Sequence, residues 1–473
     1  MMQGDGNGIG AAAAIVTTER KISRPLVLLA MCLGVLIAQV DTSVVNLAVQ
    51  PIGAAFHARV GALQWMLDAY NLVYAVLLLS GGLIADLYGR RLTFLLGAGV
   101  MIVASLACAS APSMAVLIGG RAAAGVGAAL LLPASLAIVR VVWQDARERG
   151  RALGIWASCN GLAFAIGPSV GGLLIQRFGW PSVFLLVVPL GAAALTLAAV
   201  SVPESADPEN RRFDAPGQML GAIVLGSLAF AAIAGDAGIR PRLVALACAA
   251  LAAPLFLRVE RGAGPAALVP LDLFAKPAFS GAIAATAAMT FGIYGMIFLL
   301  PMLWQSAGGA AGRLGPFGAG LALMPISLVF FFVSTRSGRL AERFGMRAMT
   351  AGGTAIIGVG LLVLAGTHAG APLPLAEAGL LLAGLGMGLN TGPLLSVATA
   401  SVTAARAGTA AALFNLARMS GAVFGVAVLG TIFAAAGGGA AGFRAAMLAG
   451  GFVQLAGAAA ACAAITEREK KPR

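Results

Sequence analysis

The chain has 473 residues, of which 60% are hydrophobic and only 10% charged, with a mean hydropathy of +0.94. Soluble domains carry about 25% charged residues, so a water-soluble enzyme or binding module is excluded and a polytopic membrane protein remains. The formal charge of +13 does not describe a nucleic-acid surface, because the basic residues fall in short loops and not along one amphipathic face.

Residues 1–24 carry no apolar face and read as a disordered cytoplasmic tail, without a cleaved signal peptide. A bilayer core of about 30 Å needs about 20 apolar residues per helix. That ruler finds fourteen spans: 25–49, 63–85, 92–111, 114–141, 151–175, 180–202, 214–234, 238–257, 278–304, 316–336, 347–367, 373–400, 407–434 and 442–464. Residues 466–473 form a second tail. The five Cys all lie inside apolar runs and the two His, His57 and His368, lie near loops. Neither set has the spacing of a disulfide framework or a metal site.

The loops are unevenly charged. With the N-terminus in the cytoplasm, twenty-three of the 31 Lys and Arg face that side and six the other, with Arg121 and Arg418 inside spans. Positive loops mark the cytoplasmic face. Both termini are therefore expected there, in a multi-pass integral membrane protein.

The loop after span two reads Gly82-Leu83-Ile84-Ala85-Asp86-Leu87-Tyr88-Gly89-Arg90-Arg91. A degenerate copy follows span ten, where Gly338, Glu342, Gly345 and Arg347 match Gly82, Asp86, Gly89 and Arg91. A duplicated six-plus-six array would put the second copy after span eight. Two spans have therefore been added between the halves. Spans seven and eight, flanked by polar linkers, are the candidates. The expected division is a six-helix bundle at 25–202, a linker with two extra helices at 203–277, and a second bundle at 278–465. Asp86 ends span two, where the helix dipole disfavours an anion. Arg90, Arg91 or a helix N-terminus of the other half must stabilise it. The stretch is either an interdomain latch or a plain topology signal.

A charge in the bilayer core is costly and faces the bundle interior or a water-filled cavity. Asp41 lies about 12 Å from the outer end of span one and Arg121 about 10 Å from that of span four, at 1.5 Å rise per residue. Equal depth predicts that they pair, either as a static ion pair or as one weakened when Asp41 takes up a proton. Asp68 lies about 7 Å inside span two, on the same face as Asn71. It is a second proton site, a cation-recognition group or a wetted interfacial residue. Arg418 lies about 17 Å into span thirteen and needs a partner, with nearby carbonyls and Asn415 as candidates. Phe291, Tyr294 and Phe298 form a stripe that lines a drug pocket or belongs to the core. Gly167-Pro168 removes a backbone hydrogen bond from span five. Gly171 and Gly172 let a neighbouring helix approach closely.

The 82–91 stretch resembles the signature of the major facilitator superfamily. Four more stretches resemble its fourteen-span drug:proton antiporter branch. They are Asp41-Thr42-Ser43-Val44-Val45-Asn46-Leu47-Ala48-Val49-Gln50-Pro51, Gln64-Trp65-Met66-Leu67-Asp68-Ala69-Tyr70, Arg121-Ala122-Ala123-Ala124-Gly125-Val126-Gly127 and Gly167-Pro168-Ser169-Val170-Gly171-Gly172. In the third, Ala124 stands where the family usually has Gln. The resemblance implies an all-α integral membrane protein with the major facilitator fold, two six-helix bundles plus two additional transmembrane helices. It implies a proton-coupled antiporter that exports small lipophilic, often cationic compounds by alternating access. Proton coupling would fall to Asp41, Arg121 and Asp68. The substrate cavity would draw on Asn46, Asn71, Tyr74, Phe291, Tyr294, Phe298, Asn415 and Arg418. Gly82, Asp86, Gly89, Arg90, Arg91, Gly338, Glu342, Gly345 and Arg347 would form the latch, and Gly167, Pro168, Gly171 and Gly172 the helix that seals the cavity. The expected partners are a small molecule, protons and the bilayer, for a monomer without cofactor, metal or nucleic acid. No GxxxxGK[ST] loop is present to drive transport with a nucleotide. No nucleophile or metal cluster marks a membrane-embedded enzyme, and no soluble segment is large enough for a sensor's output domain. The alternative is a proton- or sodium-coupled symporter that imports a metabolite.

Overall fold

A computed structural model of the chain describes residues 23–206, 214–233, 238–264, 267, 269–305, 314–367, 373–403 and 406–466. Expectations placed on residues 1–22, on Arg211 and Arg212, on the turn at 234–237, on Arg313 and His368, and on 467–473 lie outside the described residues. Among those described, fourteen helical stretches are long and apolar enough to cross a membrane, and no strand occurs.

The first half comprises α1 (Arg24–Phe56), α2 (Val60–Tyr88), α3 (Arg90–Ala109), α4 (Met114–Val142), α5 (Ala146–Phe178), α6 (Pro181–Leu185) and α7 (Val187–Ser201). Helices α8 (Ala215–Ile233) and α9 (Ile239–Ala263) pack on each other as a hairpin. The second half comprises α10 (Pro277–Gln305), α11 (Pro316–Ala322), α12 (Met324–Ser334), α13 (Ser337–Phe344), α14 (Met346–Leu364), α15 (Leu373–Ala400), α16 (Ala407–Ala435) and α17 (Gly439–Ala464).

Several helices outrun their apolar spans. Helix α5 starts at Ala146, five residues before its apolar stretch, because the Asp145 carboxylate caps it by accepting from the Arg147 and Glu148 N–H groups. Spans six and ten each read as one helix in the sequence, but the structure breaks them at Leu186 and Leu323. Pro189 and Pro325 follow the breaks and lack the N–H that would bond to the carbonyl four residues earlier. The degenerate copy, expected as a loop, folds instead as α13. Nothing breaks the helix between Ser337 and Phe344, and Gly345 ends it with φ 88°. Gly89 ends α2 in the same way with φ 115°. Only glycine takes this region freely, so the two copies share a backbone turn as well as a sequence.

The α2–α3, α4–α5 and α13–α14 junctions lie at one end of the molecule, here called the Arg-rich end; the opposite end is the far end. One buried cluster at the far end joins the halves, with Val44, Leu47 and Met66 packed together with Phe298, Val426 and Phe433. Towards the Arg-rich end the core divides. One cluster belongs mainly to the first half, around Phe94, Leu131 and Val187, and another to the second, around Phe279, Leu394 and Phe414.

The hairpin lies across a seam between the halves, with α8 against both α2 and α16. Gln218 donates to the Val76 carbonyl at 2.5 Å and accepts from the Ser80 hydroxyl. Thr431 of α16 donates to the Ala232 carbonyl at 2.7 Å. Trp65 packs on Phe230 with ring centroids 6.0 Å apart.

Candidate functional site

Helices α1 and α4 bring Asp41 and Arg121 together inside the first half. Arg121 donates from NH1 to Asp41 Oδ2 at 2.5 Å and from Nε to the Met66 carbonyl at 3.2 Å. Its guanidinium also lies over the Tyr70 ring, 4.5 Å from the centroid. Each residue is 1% exposed. Asp41 Oδ1 has no hydrogen-bond partner, so the carboxylate is held on one side only. Tyr70 donates to the Ala38 carbonyl one turn before Asp41 and fixes α2 against α1.

Asp68 departs from the interfacial reading. It is 0% exposed, and neither carboxylate oxygen has a hydrogen-bond partner. Helix α2 begins eight residues earlier, at Val60, which places Asp68 two turns inside a helix packed against α4 and α16. Asn71, also buried, has an unpartnered Oδ1.

A cavity lies between the halves; its open space of about 430 Å³ includes solvent at its mouth, and the space accessible to water inside it is about 20 Å³. Gln39, Thr42, Ser43 and Asn46 line it from α1, and Phe164 and Pro168 from α5. Tyr294 and Ile297 line it from α10, with Leu323, Ile326 and Ser327 at the α11–α12 break. Asn46 and Tyr294 are thus where the sequence places them. The rest of the aromatic stripe is not. Phe298 is fully buried beside Gly430, and the Phe291 backbone packs on Gly425. At about 100° per residue, Ile297 lies about 60° to one side of Tyr294 around α10, and Phe298 and Phe291 lie about 40° and 60° to the other side.

Arg418 stands where α16 faces α2 and α10. The Tyr74 hydroxyl lies beside its guanidinium, with Tyr294 nearby. Arg418 Nε is buried without an acceptor, while the residue as a whole is partly exposed. Asn415, expected as a partner, donates instead to the Ala411 carbonyl of its own helix at 3.0 Å.

Gly167 and Gly171 let α5 press on Ser43 and Val44 of α1. Gly172 abuts the backbone of Pro316 and Phe317 across the seam, and Gly320 abuts the Pro168 carbonyl in return. Helix α5 continues through Pro168. The missing N–H of Pro168 frees the Phe164 carbonyl, which accepts from Ser327 Oγ of the other half at 2.9 Å. Pro51 likewise frees the Leu47 carbonyl, which accepts from Gln305 of α10 at 3.3 Å. Gln64, fully buried, donates to the Val426 and Ala427 carbonyls at 2.9 and 2.7 Å. Sequence reasoning missed Gln64, Gln305 and Ser327 because their partners are backbone atoms far away along the chain. The intrahelical prolines were the available signal.

At the Arg-rich end, Arg90 donates to Asp86 Oδ1 from Nε and NH2, at 3.1 and 2.8 Å. The Arg91 guanidinium donates to the Ala199 carbonyl at 2.6 Å. Glu204, also missed, accepts from the Arg91 and Leu92 N–H groups at 3.0 and 3.1 Å and caps α3. In the second copy, Gly338 and Glu342 are exposed and Arg347 reaches Cys462 Sγ at 3.2 Å. These contacts stay within their own halves. Among the described residues, no group of three or more His, Cys, Asp or Glu gathers to hold a metal.

Residues 31–426 match the family model described as Major Facilitator Superfamily. The chain is 36% identical over 387 residues to the multidrug resistance protein Stp of Mycobacterium tuberculosis, covering 81% of this chain and 71% of that one. It is 38% identical over 321 residues to the methylenomycin A resistance protein of Bacillus subtilis, covering 67% and 68%. Its fold is similar to a crystal structure of a peptide transporter, with a TM-score of 0.71 at 14% identity, covering 92% of this chain and 93% of that one.

Proposed function

The chain belongs to the major facilitator superfamily, and from that premise we propose that it is a proton-coupled antiporter exporting small lipophilic drugs or toxic compounds by alternating access. The single observation that carries the proton coupling is the buried pair of Arg121 on α4 with Asp41 on α1, the helix that also supplies Thr42, Ser43 and Asn46 to the cavity wall. Protonation of Asp41 would neutralise one side of that pair and free Arg121 and Tyr70. A shift of α1 would then reach the cavity wall directly. Asp68, buried without a partner, is proposed as a second proton carrier.

The Arg-rich end is assigned to the cytoplasm by the charge of its loops. On that assignment the halves are joined on the outside and divided on the inside, so this conformation faces the cytoplasm. The 82–91 stretch and its copy would engage across the halves in the opposite state. The bundles 25–202 and 278–465 would rock about the central cavity, with 203–277 carried between them. The protein is proposed to work as a monomer in the bacterial inner membrane.

The test is export from right-side-out vesicles under an imposed pH gradient, with a panel of dyes and antibiotics. The expected result is exchange with protons that Asp41→Asn abolishes. Proton-coupled export that survives Asp41→Asn would remove that residue from the mechanism, and uptake coupled to protons or sodium would favour the symporter.

A further inference from the structure

On the exporter reading, which this inference rests on, we propose that the cargo carries a negative charge, a carboxylate or similar acidic group, and pairs it with Arg418 beside Tyr74 and Tyr294. The described lining of the cavity offers hydroxyl and amide groups, such as Thr42, Asn46 and Ser327, and no carboxylate. A lipophilic cation entering there would lose its hydration without gaining an anion, which is expensive in a low-dielectric site. Asp41, next to the lining residue Thr42 on α1, is already held by Arg121. Asp68 is sealed inside at 0% exposure.

Arg418 presents the opposite situation. It lies eleven residues into α16, about 17 Å from the Arg-rich end and so near the middle of the bilayer. Among the described residues no carboxylate comes within ion-pair distance of it, and its Nε has no acceptor. A charge at that depth is kept where it has a partner. Its planar fork matches a carboxylate in a two-point contact. Tyr74 connects the two features, since its hydroxyl lies beside Arg418 and it also neighbours Tyr294, which lines the cavity. The flanking phenol groups add donors for an anion and faces for an aromatic body. Energetically, an anion leaving a cell with a negative interior moves with the membrane potential, and an entering proton moves with it as well. A monovalent cation exchanged for one proton moves no net charge.

Three probes of one shape separate the possibilities: naphthoate, methyl naphthoate and naphthylmethylammonium. Their binding to the purified full-length protein is followed by tryptophan fluorescence, and their export by efflux from reconstituted vesicles. Naphthoate is expected to bind about tenfold to a hundredfold tighter than the ammonium, the range for a hydrogen-bonded charge. Its export should accelerate when the potential favours exit of negative charge. Arg418→Gln should collapse the preference for naphthoate over its ester, and Arg418→Lys should keep part of it. The ranking in the unaltered protein stands even if a variant fails to fold. Preferred binding and proton-driven export of the ammonium would overturn the inference and leave the exporter reading intact. Absence of export for all three probes and for a wider drug panel would overturn both.

Discussion

Asp41 and Arg121 occupy a place where neither could stand alone. Each is 1% exposed, and removing one partner of a buried pair costs about 3–5 kcal/mol because the other is left uncompensated. Asp41→Asn should therefore lower the thermal unfolding temperature as well as stop proton exchange. The pair Asp41→Leu with Arg121→Met should recover the stability and not the exchange. Recovery of both would make the pair a prop. Asp68 predicts the opposite signature. Nothing compensates its carboxyl, so Asp68→Asn should unfold no lower than the natural protein while losing export driven by a pH gradient; unchanged export would take Asp68 out of the proton path. The Asp41–Arg121 pairing was legible in the sequence because both charges sit at one depth and opposite charges in a membrane seek each other. The sealing of Asp68 was not, since depth along a helix says nothing about which neighbours cover it.

At the scale of elements, two prolines act by what they omit. Pro51 and Pro168 release the carbonyls of Leu47 and Phe164, and both are taken by side chains of the opposite half, Gln305 and Ser327. With Gln64 on the Val426 and Ala427 carbonyls, these bonds fasten the far side without any ion pair. Each is worth about 0.5–1.5 kcal/mol net, small enough to be broken in every transport cycle. Replacing Gln305 and Ser327 together by Ala should shift the protein towards opening at the far end. Asn46→Cys in a cysteine-free background would report it through faster labelling by an impermeant thiol reagent from that side. Unchanged labelling would deny these bonds a part in closure. The hydropathy of the sequence located the helices well, because apolar length is what a bilayer selects. It did not show the breaks at Leu186 and Leu323, where a proline splits a span without lowering its hydropathy.

For the whole molecule, the repeated glycine-and-arginine turn led to the expectation of two halves and an inserted pair of helices. It could not say where the pair would sit. The structure places α8 across the contact of α2 with α16 and ties it to both, through Gln218 and Thr431. The other seam between the halves, where α5 meets α11 and α12, is closed by glycine contacts and Ser327, and it leaves Phe332 exposed. The hairpin thus makes the two lateral faces unequal. A lipophilic compound dissolved in the bilayer meets α8 and α9 on one face and the bare α5–α12 seam on the other, a few side chains from the cavity wall at Phe164 and Ser327. A photoreactive lipophilic probe, activated in membranes that hold the protein, should therefore label α5 and α12 in competition with a transported drug. Labelling of α8 and α9 should be insensitive to that drug, as expected for a surface that only meets lipid. Drug-sensitive labelling at Trp65 and Phe230 would mean that the hairpin is a doorway and not a wall.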